Sequence, residues 1–168
     1  MLKFAPIAAV ALMSMSMSAH AVQKDITVTA NVDTSLEMLS ADGSALPTTM
    51  QMQYMPGQGL QTAEVMTKIF TNDSKKDLQV RLSIAPALRN ITNPGAPEVP
   101  LAVKLGSTAL TTTAATLSAA DIFTGDIKNG SNAMPLSIAQ KDAGVLTEAG
   151  NYQGVVSVIL TQSAASGG

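Results

Sequence analysis

Three methionines are the first residues that could do chemistry. Met50, Met52 and Met55 are spaced Met-x-Met-x-x-Met, and thioether sulfurs suit Cu(I) outside the cytoplasm. No imidazole or thiol stands with them, since cysteine is absent and the single histidine is His20. In an extended chain Met50 and Met52 share one face, as core-facing methionines do. The spacing therefore predicts packing and no metal site. Asp42-Gly43-Ser44 could open a calcium loop, but the spaced carboxylates of such a loop do not follow, so it reads as a turn. Beyond residue 21 the chain offers only Ser, Thr, Lys, Tyr and carboxylates for catalysis. Neither a Gly-x-Ser-x-Gly elbow nor a Ser-x-x-Lys pair occurs. No catalytic residue and no cofactor is expected, and the chain is not expected to be an enzyme. Among the cations, Lys75, Lys76 and Arg81 are candidates for contact with acidic glycans or a protein receptor, with Arg89 a further one. As ordinary surface residues, Lys75-Lys76 would continue a turn begun by Asn72-Asp73-Ser74, and Arg81 would face water from a strand.

The elements that must carry these side chains are strands. Leu78-Gln79-Val80-Arg81-Leu82-Ser83-Ile84 sets apolar side chains at every second position, the pattern of a half-buried strand. Met50-Gln51-Met52-Gln53-Tyr54 and Leu101-Ala102-Val103-Lys104-Leu105 repeat it, and Gly106-Ser107 follows the latter as a turn. Residues 65–70 are rich in strand formers and stop at Asn72-Asp73. Met134, Leu136 and Ile138 alternate around Pro135 and Ser137. A proline cannot donate to a ladder, so Pro135 belongs at a strand start or on an edge. Near the C-terminus, residues 152–160 read as one long strand, with Tyr152, Gly154, Val156, Val158 and Leu160 along one face. Residues 111–120 fit a loop, a poor strand or one helical turn. Asp42-Gly43, Pro56-Gly57, Asn93-Pro94-Gly95, Asn129-Gly130 and Ala149-Gly150-Asn151 punctuate the runs. Short strands at this spacing predict an all-β sandwich in one domain, without internal repeats.

Residues 1–21 stand apart. Lys3 gives a short positive start, an uncharged run of small and apolar residues follows, and Ala19-His20-Ala21 fits a small-x-small cleavage pattern. This is the form of a secretory signal peptide cut after Ala21. The apolar run is shorter than the ~20 residues a transmembrane helix needs, so no membrane insertion is expected. Removing 21 of the 168 residues leaves nine cations against twelve acids, a net charge of −3. No basic patch emerges, which argues against nucleic acid as a partner. An exported domain without cysteine must be held by burial and hydrogen bonds alone.

The segment that would follow the cut, residues 22–33, alternates strictly. Val22, Ile26, Val28, Ala30 and Val32 fall on one face, with Lys24 the single exception, and Gln23, Asp25, Thr27, Thr29, Asn31 and Asp33 fall on the other. Fully extended, it spans roughly 40 Å at about 3.3 Å per residue, long for a strand in a globular domain. Two readings stand on this pattern alone. In one it is the first strand of the chain's own sandwich. In the other it is lent to a second chain and completes that chain's sheet.

Three stretches carry a family resemblance: residues 22–33, the run Ala41-Asp42-Gly43-Ser44-Ala45-Leu46-Pro47, and residues 149–158 around Gly150-x-Tyr152-x-Gly154-x-Val156. With them the chain resembles the major subunits of alternate chaperone–usher fimbriae, the colonisation factor antigen type. The resemblance implies an immunoglobulin-like β-sandwich lacking its final strand, residues 34–168, completed by the donor strand 22–33 of a neighbouring subunit. It implies a homopolymer assembled with a periplasmic chaperone and an outer-membrane usher, displayed at the cell surface as a fimbria that supports attachment to host cells. A separate tip adhesin and an unidentified host receptor belong to the same picture. One departure is Thr34, where relatives commonly place proline. The alternative expectation is a self-contained secreted sandwich that binds a glycan or a protein, with residues 22–33 as its own first strand.

Overall fold

A computed structural model describes residues 36–163, all within one packed unit. The expected signal peptide and residues 22–33 lie outside the described residues. Among the described residues, strands, one short α-helix and one 3-10 turn follow in this order: β1 (Leu36–Ser40), β2 (Tyr54–Met55), β3 (Gly59–Leu60), β4 (Ala63–Thr71), β5 (Leu78–Leu82), β6 (Ala87–Asn90), β7 (Val99–Leu105), β8 (Thr108–Leu110), β9 (Ala115–Leu117), α1 (Ala119–Ile122), the 3-10 turn (Ile127–Asn129), β10 (Met134–Gln140), β11 (Tyr152–Gln153) and β12 (Val158–Gln162).

The strands form two layers. The larger sheet has the order β1-β4-β10-β7-β6-β11, with β8 beside β7, and the smaller has the order β12-β5-β9. Every ladder among the described residues is antiparallel. The alternation seen in the sequence decides which side chains meet. Leu78, Val80 and Leu82 of β5 face the larger sheet, where they pack with Ile69 of β4, Val103 and Leu105 of β7 and Leu136 of β10. Ile69, Leu78, Val80 and Leu105 are fully buried, so each contributes on the order of 1.5–3 kcal/mol by leaving water.

Buried side-chain polar atoms are all paired among the described residues. Thr67 lies in β4 at 0% exposure and its Oγ1 donates to Met134 O at 2.8 Å. Ser131 is clamped to Ile69 on both sides: its N–H donates to Ile69 O at 2.7 Å, and its Oγ accepts from Ile69 N at 2.9 Å. Pairing of this kind removes the penalty of burying a polar atom. It also fixes the entry to β10.

Three expectations differ from the structure. Residues 50–53 are not in a strand; only Tyr54–Met55 are, in a two-residue ladder with β3. Residues 50–53 alternate, but no long partner strand lies beside them among the described residues. Ile84 is 64% exposed and lies beyond β5, so the buried face of that run holds three apolar residues rather than four. The third difference is in the C-terminal run, which is two strands in two different sheets. Pro135 takes the first of its two expected places, a strand start: it sits second in β10, a central strand between β4 and β7. Its carbonyl accepts from Gly106 N at 2.8 Å, and the ladder with β7 begins only at Leu136. Residues 111–120, ambiguous by composition, contain β9 and the start of α1. The helix starts where Asp77 Oδ1 accepts from Ala119 N at 2.8 Å.

Candidate functional site

The feature that sets this sandwich apart is where its two sheets end. β1 is the outer strand of the larger sheet and β12 is the outer strand of the smaller, and the two approach each other along one seam. β1 pairs only with β4, and β12 only with β5; no ladder joins β1 to β12 among the described residues.

Register shows which side chains line the seam. On β1, Leu36, Met38 and Ser40 stand opposite Thr71, Ile69 and Thr67, all buried, so these three point inward. On β12, Val158, Leu160 and Gln162 stand opposite Leu82, Val80 and Leu78 and likewise point inward. Leu36, Met38, Val156, Val158 and Leu160 pack on the core yet stay only partly buried. The seam is thus an apolar row between two strand edges, each with backbone groups aimed across the gap.

One end of the seam is tied. Gln162 Nε2 donates to Thr71 Oγ1 and to Asp73 O, the latter at 3.0 Å, and Ser163 N donates to Asp77 O at 2.8 Å. Because Leu36 pairs with Thr71, the C-terminal end of β12 lies beside the start of β1. The two edge strands therefore run in opposite directions.

The expected C-terminal strand is divided as follows. Tyr152 belongs to β11, beside Asn90 of β6, and its hydroxyl donates to Glu148 O at 2.8 Å. Gly154 and Val156 lie between strands, and Val158 and Leu160 belong to β12. Gly154 explains the break. A Cβ there would stand 2.3 Å from Ala87 O, so the backbone can pass β6 closely only because position 154 has no side chain. Past that point the chain leaves the larger sheet and joins the smaller.

The three cations do not come together. Lys75 and Lys76 occupy the turn after β4, where Lys76 Nζ is 3.3 Å from Asp73 Oδ2 and Asp73 Oδ1 accepts from Lys75 N at 3.1 Å. These contacts, the Lys75 N–H first and the Lys76 side chain second, hold the Asp73 carboxyl below its ordinary value. The turn expected for this stretch is present. Arg81 is on the outward face of β5, opposite Ile159. Arg89 pairs with Glu98 at 2.8 Å, with both side chains largely exposed. The Asp42 carboxylate accepts from the Ser44 hydroxyl at 2.7 Å and the Ser44 N–H at 2.9 Å, which lowers its pKa and closes the expected turn.

Sequence reasoning missed Leu36, Met38 and Gln162. The only available signal for β1 was Leu36 and Met38 on either side of Glu37, and Leu, Glu and Met are helix formers as much as anything. Gln162 carried no signal, because its role depends on the strand end it reaches. The donor residues Val22, Ile26, Val28, Ala30 and Val32 lie outside the described residues.

The known proteins that this chain resembles are fimbrial subunits. The CS1 type fimbrial major subunit family matches residues 22–161. A CFA/I fimbrial subunit of Escherichia coli is 40% identical over 154 residues, which is 89% of this chain and 90% of that protein. A CS1 fimbrial subunit of Escherichia coli is 37% identical over 161 residues, 92% of this chain and 94% of that one. Among solved structures, the CooA pilin subunit from enterotoxigenic Escherichia coli superposes with a TM-score of 0.68 at 33% identity, covering 77% of this chain and 88% of that one. The chain belongs to the family of CS1-type fimbrial major subunits.

Proposed function

We propose that this protein is the repeating structural subunit of an adhesive surface fimbria, and that residues 22–33 of a neighbouring copy fill the seam between β1 and β12. The seam itself carries the reading. Two opposed strand edges lined by Leu36, Met38, Val156, Val158 and Leu160, with no ladder joining them among the described residues, offer backbone and apolar side chains to one further strand with an alternating face. Residues 22–33 have that alternation, and strand addition combines ladder hydrogen bonds with side chains set into the row. The family of the chain supports assembly into a fimbria.

A seam of this kind is also a hazard in a free subunit, since unpaired edges and apolar rows promote aggregation. A periplasmic chaperone that covers the seam until an outer-membrane usher presents the next subunit is consistent with the hazard and with an exported chain. Attachment to host cells then comes from fibre length and many weak contacts, with any high-affinity receptor site left to a tip adhesin.

The test is a thermal melt of residues 34–168 with and without a peptide of residues 22–33. The expected result is a low midpoint alone, raised by tens of degrees with the peptide and unmoved by a scrambled one. A high, cooperative melt that ignores the peptide would mean a self-contained binding module instead.

A further inference from the structure

The end of the sandwich where β10 stops carries a cavity of about 170 Å³, the space of about six waters at ~30 Å³ each. Pro97, Val99, Val145 and Tyr152 give it apolar walls. Its charged residues are Glu98, Asp142 and Glu148, and the lining holds no cation. Hydrogen bonds fix its shape. Gln140 Nε2 donates to Asp142 O at 2.8 Å and to Gly144 O at 3.1 Å, and the Tyr152 hydroxyl donates to Glu148 O at 2.8 Å. Arg89, outside the lining, engages Glu98. Lys141, beside Asp142 in the chain, is exposed and also lies outside it. The Asp142 and Glu148 carboxylates join no ion pair among the described residues. Apolar walls beneath free carboxylates fit an ammonium on an aliphatic stem: the stem lies on the walls and the charge stays at the rim.

The opposite end of the sandwich presents such a group. In the turn after β4, Asp73 holds the Lys75 N–H with one oxygen and the Lys76 ammonium with the other. The Lys75 side chain is left exposed and in no ion pair among the described residues. From this match we infer that Lys75 of one copy seats in the cavity of the next, between Asp142 and Glu148, as an end-to-end contact between subunits. The inference rests on the fibre reading above.

The layout of the two ends favours a second copy as the occupant. β4 alone has nine residues, roughly 26 Å at about 3.3 Å per step, and it separates the two ends, so Lys75 cannot reach the cavity of its own chain. The Lys75 turn flanks the point where residues 34–35 leave, since Asp73 O and Asp77 O bond Gln162 and Ser163 beside the start of β1. A neighbour joined through those two residues, about 7 Å of chain, must abut this end. Each copy gives its segment from that end and keeps the other free to receive. There the cavity lies close to the seam, because Tyr152 of its lining is four positions from Val156. One exposed ion pair is weak, but this one recurs at every joint of a fibre.

The test is zero-length carbodiimide coupling on fibres assembled from the full chain, followed by peptide mass spectrometry. The expected product is an amide between Lys75 and Asp142 or Glu148, which at the separation above joins two copies. Asp142→Lys with Glu148→Lys, both at exposed positions, should abolish the product. It should also lower the temperature at which fibres dissociate, more at low salt than at high. Adding Lys75→Glu should restore the midpoint. Fibres in which residues 142 and 148 couple to a different lysine, or to none, would overturn the contact while leaving the fibre reading intact. A reversed pair that Lys75→Glu does not rescue would do the same. Failure of the parent chain to form fibres would overturn both.

Discussion

A side chain at Gly150 would stand inside Asn90: a Cβ placed there lies 2.4 Å from Asn90 Oδ1 and 2.6 Å from Nδ2. Asn90 is 3% exposed, and its carboxamide is bonded through both of its polar atoms. Oδ1 accepts from Thr92 N and Asn93 N, and Nδ2 donates to Ala149 O at 3.1 Å. One buried amide thus shapes the turn after β6 and pins the strand-like approach to β11.

Gly150→Ala is expected to break this node. The methyl group must displace the carboxamide, leaving buried donors and acceptors unmet at a cost of about 1–3 kcal/mol. The check is a lower midpoint in a thermal melt, with Asn90→Ala giving a loss of similar size. An unchanged midpoint for Gly150→Ala would show that the amide can move aside freely.

Leu78 and Ile84 open and close the same alternating run, yet one is 0% and the other 64% exposed. Leu78→Ala should cost about 2–5 kcal/mol through lost burial and a cavity. Ile84→Ser should stay within about 0.5 kcal/mol. Urea unfolding of both variants separates the cases, and a large loss for Ile84→Ser would place that side chain in a contact absent from the described fold.

Acid should loosen the turn after β4. The Asp73 carboxyl lies below its ordinary value of 3.8, chiefly through the Lys75 N–H and then the Lys76 side chain. A depressed folded-state value means that the contribution is fully present above 3.8 and is lost as pH falls through the lower folded value. Melts across the acid range should show a steeper decline for the parent chain than for Asp73→Asn. Parallel curves would remove Asp73 from the acid response.

How much of this was legible in the sequence depended on partners. β5 and β7 declared themselves because each is buried on one face along its whole length, and alternation then follows from the pleat, while β4 was legible from its strand-forming residues instead. Residues 50–53 carry the same alternation without a ladder, so period alone did not suffice. β6, with Ala87 and Leu88 half-buried and Arg89 exposed, has no clean period to read. The break at Gly154 was invisible because the atom that forces it, Ala87 O, lies 67 positions away in the chain. The seam was legible only as a consequence of family resemblance, since β1 is short and its sequence suits a helix equally well.

The ladders also set a clock. Tyr152 pairs with Asn90, Val158 with Leu82 and Leu136 with Val65, so large loops must close before these contacts reward the chain. All-β sandwiches with such long-range pairing fold in milliseconds to seconds, far slower than helical bundles. β12 is the last strand in chain order and docks on β5, whose own partner β9 is also distant in sequence. The β12 wall of the seam pairs with β5 across 76 to 84 positions (Val158 with Leu82, Gln162 with Leu78), and the β1 wall pairs with β4 across only 27 to 35 (Ser40 with Thr67, Leu36 with Thr71). The two walls of one groove thus differ in the length of chain that must be closed to build them, and the β12 wall is the costlier in loop entropy.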